Sequence, residues 1–184
     1  MNRTTLFLGL GTLLIFGFGG FLTVEFLQGK SFLDMFVEEG RALLTQIVLG
    51  IMVGLGGSGI AWFIITRKFF QKEKLFYSQL VSSLNLNGWA ILFLSLCAGI
   101  GEEVFFRAGI QPYFGVWWTS ILFVLLHGYL NPWNLRISFY GLIMVLIIAI
   151  FGYLFQYVGI FSAIFAHAIF DILLFWKLNK VVKE

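Results

Sequence analysis

The sequence has few charged residues, few histidines and one cysteine, and these scarcities exclude several classes of protein. Only 11% of the 184 residues are charged, whereas a soluble domain carries about 25%. The chain therefore lacks the polar side chains needed to cover its surface in water. A net charge of +3 gives no electrostatic support for nucleic-acid binding. The single Cys97 cannot form an internal disulfide and is expected to pack as a small apolar side chain.

The abundant residues are apolar, and they lie in long runs. They make up 60% of the chain, and the mean hydropathy is +0.95. A helix needs about 20 mostly apolar residues to cross the hydrocarbon core. The sequence therefore predicts an all-α, polytopic transmembrane helix bundle with about six spans, a short interfacial helix between the second and third spans, and a single integral membrane domain over residues 1–184. The predicted spans are residues 5–27, 42–66, 88–111, 114–131, 137–156 and 158–177.

The distribution of lysine and arginine predicts the orientation of the chain in a cell membrane. Cytoplasmic loops of membrane proteins carry an excess of these residues. With the amino terminus in the cytoplasm, only Lys30 and Arg41 fall outside, near Glu38 and Glu39. Both termini are therefore expected to be cytoplasmic. The residues that then lie inside are Arg3, Arg67, Lys68, Lys72, Lys74, Arg136, Lys177, Lys180 and Lys183.

A glycine-rich stretch lies in the second predicted span. Gly50 and Gly54 have the GxxxG spacing that lets helix backbones approach closely in lipid. Tight helix packing is the favoured interpretation. The alternative is a bent or unwound helix beside a substrate cleft.

Six ionisable residues fall inside the later predicted spans, and two of them are the only histidines of the chain. Insertion scales give a cost of at least ~2.5–3.5 kcal/mol for a charged side chain at the centre of a membrane helix. A functional role is therefore the default hypothesis for such groups. They are Glu102, Glu103, Arg107, His127, His167 and Asp171.

The spacing of these residues predicts that they converge. At 1.5 Å per helical residue, Glu102, His127 and His167 lie roughly 13, 20 and 13 Å below the outer ends of three different spans. The pairs Glu103–Arg107, Phe123–His127 and His167–Asp171 are each four residues apart and can share a helix face. One carboxylate and two imidazoles in a shielded cavity are suited to activating water for peptide hydrolysis.

Three short motifs carry a resemblance to a known family. The stretches "EEVFFR" from Glu102, "FVLLH" from Phe123 and "HAIFD" from His167 resemble the EExxxR, FxxxH and HxxxN/D motifs of the CPBP intramembrane proteases. That family includes the CAAX prenyl endopeptidases and the bacteriocin-processing and abortive-infection proteins. The motifs lie within residues 99–171, in the family's order and on successive predicted helices.

The resemblance implies a role for each matched residue. Glu102 would be the base that activates water, helped by His127, and His167 with Asp171 would stabilise the oxyanion. Glu103, Arg107 and Phe123 would support them. Two positions depart from the family pattern: Ala108 stands where Gly is frequent, and Asp171 stands where Asn is commoner. An ionised Asp cannot donate a hydrogen bond to an oxyanion, so Asp171 would either orient His167 or need to be protonated.

Other chemistries remain open at this point. No cofactor is favoured, but Glu102, His127 and His167 could supply three ligands to Zn²⁺. Alternatively, His127 and His167 could hold a haem or relay protons in a transport protein, and a noncatalytic scaffold could retain the same fold. For a protease, the expected partners are a peptide or membrane-protein substrate and the lipid bilayer.

Overall fold

The protein is a bundle of apolar helices. A computed structural model describes residues 2–37 and 40–181, and its regular elements are all helical in that part of the chain. The predicted all-α membrane helix bundle is confirmed. The helices are α1 (Arg3–Leu22), α2 (Asp34–Val37), α3 (Leu43–Ile65), α4 (Gln71–Ser83), α5 (Gly88–Glu103), α6 (Gln111–Leu126), α7 (Leu135–Tyr157) and α8 (Ile160–Val181).

The number of spans differs from the prediction. In the described residues, five helical segments are long and apolar enough to cross a membrane, and the predicted spans 88–111 and 114–131 fall into one of them. These segments are Arg3–Leu27, Leu43–Ile65, Gly88–Leu126, Leu135–Tyr157 and Ile160–Val181.

The segment Gly88–Leu126 is not straight. A straight helix would separate Glu102 from His127 by about 37 Å, yet their side chains lie 3.4 Å apart. The chain reverses at Gly115, where φ is 71°, a left-handed value that glycine adopts without strain.

The part of α6 after Gly115 is shorter than the predicted fourth span. It ends at Leu126 rather than at residue 131, because Gly128 has a φ of 77° and Pro132 disfavours a helical conformation in the residue before it. This part of α6 is long enough to cover roughly half of the ~30 Å hydrocarbon thickness. Its end therefore brings His127 beside Glu102, with 37% of the His127 side chain exposed.

Helices α3 and α8 pack with their backbones almost in contact. A Cβ atom at Gly50 would lie 2.5 Å from the carbonyl oxygen of Ser162, and one at Gly54 would lie 2.6 Å from that of Ala166. Helix α3 runs without interruption from Leu43 to Ile65. The tight-packing interpretation of the GxxxG stretch is therefore correct, and the bent-helix alternative is wrong. This contact positions α8, which carries His167.

The basic segments gather at one end of the bundle. The guanidinium of Arg136 lies 5.3 Å from the Phe69 ring, which places the start of α7 beside the α3–α4 connection. The side chain of Asn2 donates to the carbonyl of Leu84, so the start of α1 lies at the same end. This grouping is what the orientation prediction requires, and the side of the membrane that it faces stays a prediction. Lys183, Glu38 and Glu39, which that prediction also used, lie outside the described residues.

The short helix predicted between the second and third spans corresponds to α4, and part of it is buried. It packs against α8, and its Val81 is buried. Together with Leu80 and Leu84, Val81 lines a cavity that opens into the bundle. Helix α4 thus forms one wall of the interior site.

Candidate active site

Glu103 is the centre of a buried polar cluster. Its Oε2 accepts a hydrogen bond from Nε of Arg107 at 2.8 Å, and its Oε1 accepts one from Nδ1 of His167 at 2.9 Å. The side chains of Glu103 and Arg107 have no exposed surface. The predicted ion pair between them is therefore present, and it is linked to a histidine 64 residues away in the chain.

Arg107 holds this cluster to the neighbouring helix. It lies on a π-helical turn, Val104–Ile110, that continues α5; such turns are frequent at functional sites. Its guanidinium donates to the carbonyl of Ile148 at 3.2 Å and to Oε1 of Gln111 at 3.3 Å. Gln111 in turn donates to the carbonyl of Gly152. A buried charge needs such partners, and here they tie the end of α5 to α7.

His167 faces a carboxylate on each ring nitrogen. Besides the bond to Glu103, its Nε2 lies 3.5 Å from Oδ2 of Asp171, one turn further along α8. The spacing of His167 and Asp171 predicts that Asp171 orients the imidazole. In the structure Glu103 is the closer partner of that ring. Asp171 lies beside Nε2, the nitrogen that also faces the cavity and would donate to an oxyanion.

Glu102 occupies a different environment from its neighbour Glu103. Its Oε2 lies 3.4 Å from Nε2 of His127, but the geometry is not that of a hydrogen bond. That oxygen has no hydrogen-bond partner within residues 2–37 and 40–181. On the other side of the ring, Nδ1 of His127 lies 2.8 Å from the carbonyl oxygen of Phe123. A carbonyl only accepts, so Nδ1 carries a proton and Nε2 is the nitrogen that faces Glu102.

Phe123 brings the two histidines together. Its ring stacks on His127 with centroids 4.3 Å apart, and it meets His167 edge-on at 5.7 Å. Phe123 also lines the cavity. Both imidazoles therefore pack against one aromatic ring, although they come from different helices.

The residues predicted to be catalytic line a single cavity of about 390 Å³. Most of its remaining wall is apolar and comes from α1, α4, α5, α7 and α8. Glu103 and Arg107 lie behind the wall and do not line the cavity. The predicted catalytic residues that line it are Glu102, His127, His167 and Asp171.

Sequence reasoning missed several contributors to the site. The bond between Glu103 and His167 has no local signal, because spacing along a chain does not reveal which helices touch. Gln111 could have been found, since it lies four residues after Arg107 on the same helical face. Cys97 is buried away from the cavity, which agrees with a packing role.

His167 bears on the three-ligand zinc site predicted from the sequence. Its Nδ1 donates to Glu103, and its Nε2 lies 3.5 Å from Asp171 without a hydrogen bond, so Nε2 can still offer a lone pair. Among residues 2–37 and 40–181, no group of three His, Cys, Asp or Glu side chains is arranged to hold a metal ion. Nothing in this geometry tests the zinc and haem alternatives, so both stay predictions.

The comparison with known families concerns the same part of the chain as this site. Residues 84–173 match the family described as Type II CAAX prenyl endopeptidase Rce1-like. This match supports membership of the CPBP family. The matched segment runs from the end of α4 into α8 and contains Glu102, Glu103, Arg107, His127, His167 and Asp171. At the level of the family, this match supports a CAAX protease-like intramembrane endopeptidase and a multi-pass membrane protein.

A further comparison concerns a curated protein. The chain is 36% identical over 83 residues to the uncharacterized protein YpbD of Bacillus subtilis (strain 168). That alignment covers 44% of this chain and 41% of the relative, so the chain spans less than half the length of the relative it matches. No solved structure matches the chain at a significant level.

Proposed function

We propose that this protein is an intramembrane endopeptidase in which Glu102 activates the water that hydrolyses a peptide bond. The observation that carries the proposal is the position of Glu102. Its carboxylate is almost buried, it faces the cavity beside His127, and one oxygen has no hydrogen-bond partner in the described part of the chain. That oxygen can accept a proton from water. At Glu103 both carboxylate oxygens already accept hydrogen bonds, which would prevent the same step.

The proposed reaction uses only groups that line the cavity. Glu102 takes one proton from a water molecule, and the resulting hydroxide oxygen attacks the carbonyl carbon of the substrate. The carbonyl π electrons move to its oxygen, which becomes an oxyanion. Nε2–H of His167 donates a hydrogen bond to this oxyanion. The oxyanion then re-forms the carbonyl, the C–N bond breaks with its electron pair on nitrogen, and His127 relays the proton held by Glu102 to that nitrogen.

Glu103 has a positioning role in this proposal. By accepting from Nδ1 of His167, it directs the opposite ring nitrogen towards the cavity. Asp171 is an acceptor and cannot itself stabilise an oxyanion. It would balance the positive charge of His167 instead, and this arrangement accommodates Asp at a position where the family commonly has Asn.

The cavity wall indicates the class of substrate. Apart from the ionisable groups and Thr12, the side chains from α1, α4 and α8 that line it are mostly apolar, for example Leu8, Leu80 and Leu178. An apolar segment of a peptide or membrane protein would bury its side chains there. We therefore propose that a hydrophobic peptide stretch enters this cavity.

We propose that the reaction needs no metal ion, because residues 2–37 and 40–181 contain no group of three His, Cys, Asp or Glu side chains arranged to hold one. Treatment of the purified protein with a chelator should leave the cleavage rate unchanged. Loss of cleavage that Zn²⁺ restores would contradict this part of the proposal.

We also propose that the basic end of the bundle faces the cytoplasm. In a Cys97→Ser background, a cysteine introduced at Lys72 should be protected from a membrane-impermeant thiol reagent in intact cells, whereas one at Lys30 should react. The reverse pattern would invert the orientation.

The function is tested by comparing membrane peptides from cells that produce the wild-type protein or Glu102→Gln. A peptide that accumulates only with Glu102→Gln identifies a substrate, and the purified wild-type protein should cleave it. Equal amounts of the two proteins in the membrane fraction provide the control. Normal cleavage by purified Glu102→Gln would show that Glu102 is not the base.

A further inference from the structure

A second cavity lies beside the active site, between α4 and the loop that follows His127. Its volume is about 350 Å³, and its wall includes Glu73, Phe76 and Tyr77 from α4 and Asn134 from the loop. The mechanism proposed above uses none of these residues. The cavity lies at the end of the bundle that carries the basic segments, since Lys72 is at its edge.

Glu73 is the unusual residue of this cavity. Its side chain is buried, with 7% of the residue exposed. Its Oε1 lies 3.4 Å from the side-chain nitrogen of Asn134, a long contact. Its Oε2 is buried and has no hydrogen-bond partner within residues 2–37 and 40–181. A buried carboxylate with one weak donor is costly, and a cation in the cavity would offset that cost.

The neighbouring residues do not supply this cation. Lys72 is exposed, and no ion pair joins it to Glu73 in the described part of the chain. Asn134 is held in place because its Oδ1 accepts from the backbone of Arg136 and Ile137 at the start of α7. It can therefore offer Glu73 only its amide hydrogens.

The aromatic side chains of the cavity also favour a cation. Phe76 and Tyr77 contribute rings to the wall, and aromatic faces attract ammonium and guanidinium groups. Burial and, to a smaller extent, the Glu73 carboxylate raise the pKa of Tyr77. The phenol therefore stays neutral at physiological pH and adds no competing negative charge.

The second cavity is adjacent to the catalytic one. Tyr77 lines both cavities. Gly128, which also lines the second cavity, directly follows His127, so their Cα atoms are about 3.8 Å apart. A peptide held in an extended form across the active site would reach the second cavity within a few residues.

We propose that the Glu73 cavity is a subsite that binds the ammonium or guanidinium group of a lysine or arginine side chain in the substrate. This proposal rests on the proposed proteolytic function. It defines the substrate as an apolar peptide segment with a basic residue a few positions from the cleaved bond. The amine headgroup of a lipid has the same chemistry and is the alternative source of the cation.

Binding is tested separately from cleavage, in a Glu102→Gln background and in a detergent without amines. The probes are two acetylated peptide amides that differ only in having lysine or norleucine at one position, which is scanned along the peptide. With Glu73 intact, the lysine peptide should bind about tenfold more tightly, as expected for a charged hydrogen bond. Glu73→Gln, which keeps an oxygen to accept from Asn134, should remove this preference.

Lys72→Gln is the matched control, because it removes a charge from the adjacent residue of α4. Under the proposal it leaves the preference for lysine unchanged or increases it. If Lys72→Gln removed the preference as Glu73→Gln does, the preference would not come from attraction to the Glu73 carboxylate and the subsite would be wrong. Equal affinity of the two peptides at every position would also overturn the proposal.

The lipid alternative is tested with the same variants in nanodiscs of phosphatidylglycerol, with or without phosphatidylethanolamine. Stabilisation by phosphatidylethanolamine that depends on Glu73, together with no preference for the lysine peptide, would assign the cavity to a lipid and overturn the peptide subsite. Because these readouts are affinity and thermal stability, they do not depend on turnover. A Glu73-dependent preference for lysine without cleavage by the wild-type protein would support the subsite while contradicting the proteolytic function.

Discussion

Glu102 and Glu103 are adjacent in the chain, but the structure places them in two different environments. Glu103 has no exposed surface and accepts close hydrogen bonds from Arg107 and His167. Glu102 faces the cavity, and one of its oxygens has no hydrogen-bond partner in the described residues. Its contact with His127 is long, at 3.4 Å. The Glu102 carboxylate faces the cavity, whereas both oxygens of the Glu103 carboxylate are hydrogen-bonded to other residues of the protein.

This difference indicates how the protein keeps charges inside an apolar bundle. A fully paired carboxylate can hold helices together, but it is a weak base because its lone pairs are already in use. An incompletely paired carboxylate is costly, yet it can accept a proton. The helical rotation of about 100° between consecutive residues is sufficient to separate the two roles.

The largest expected effect is on catalysis at Glu102. Glu102→Gln should lower the rate of peptide cleavage by about 10³-fold, within the range for loss of a general base. Its thermal stability in detergent should stay close to that of the wild-type protein, because no hydrogen bond to Oε2 is lost. A large drop in stability would show that Glu102 is structural and would remove the contrast with Glu103.

The next effect is on stability at Glu103. Glu103→Gln leaves the buried guanidinium of Arg107 without its carboxylate, which should reduce the free energy of unfolding by about 3–5 kcal/mol. Reversible denaturation in mixed detergent micelles measures the change. The double variant Glu103→Gln, Arg107→Met removes both charges and should recover part of the loss. No recovery would mean that the bond to His167, rather than the ion pair, accounts for the stabilisation.

A smaller effect is expected where α3 supports the helix of His167. Gly54→Ala would place a Cβ atom 2.6 Å from a carbonyl of α8, and such overpacking typically costs 1–3 kcal/mol. Gly56→Ala is the control on the same helix, since its Cβ would meet no atom within 4 Å. Thermal unfolding of both variants gives the comparison. Equal stability would show that α8 can move away from α3 without loss.

The smallest effect is expected at Asp171. Because Glu103 is the closer partner of His167, Asp171→Asn should change the cleavage rate by only about threefold, well below the effect of losing a general acid or base. His167→Ala, measured beside it, should lose most of the activity. If both variants lost activity to the same extent, Asp171 rather than Glu103 would determine the orientation of the imidazole.

Much of the site could be predicted from local spacing. The i,i+4 relation of Glu103 and Arg107 predicts their ion pair, and that of Phe123 and His127 predicts a shared face. Both arrangements are present in the structure. The predicted boundary between residues 111 and 114 lies close to the reversal at Gly115. The predicted fourth span is too long because the helix ends at Leu126, before Gly128, and hydropathy alone does not mark that end.

The sequence by itself determined that the chain forms apolar helices and that a few ionisable side chains lie at membrane depth, since hydropathy and helical period depend only on neighbouring residues. Only the tertiary structure decided that Glu103 pairs with His167, that α4 lines the interior, and that Glu73 lies in a second cavity. These features depend on which helices touch and how each is rotated about its axis. That choice is made by close packing among residues far apart in the chain, and it leaves no periodic signal in any one segment.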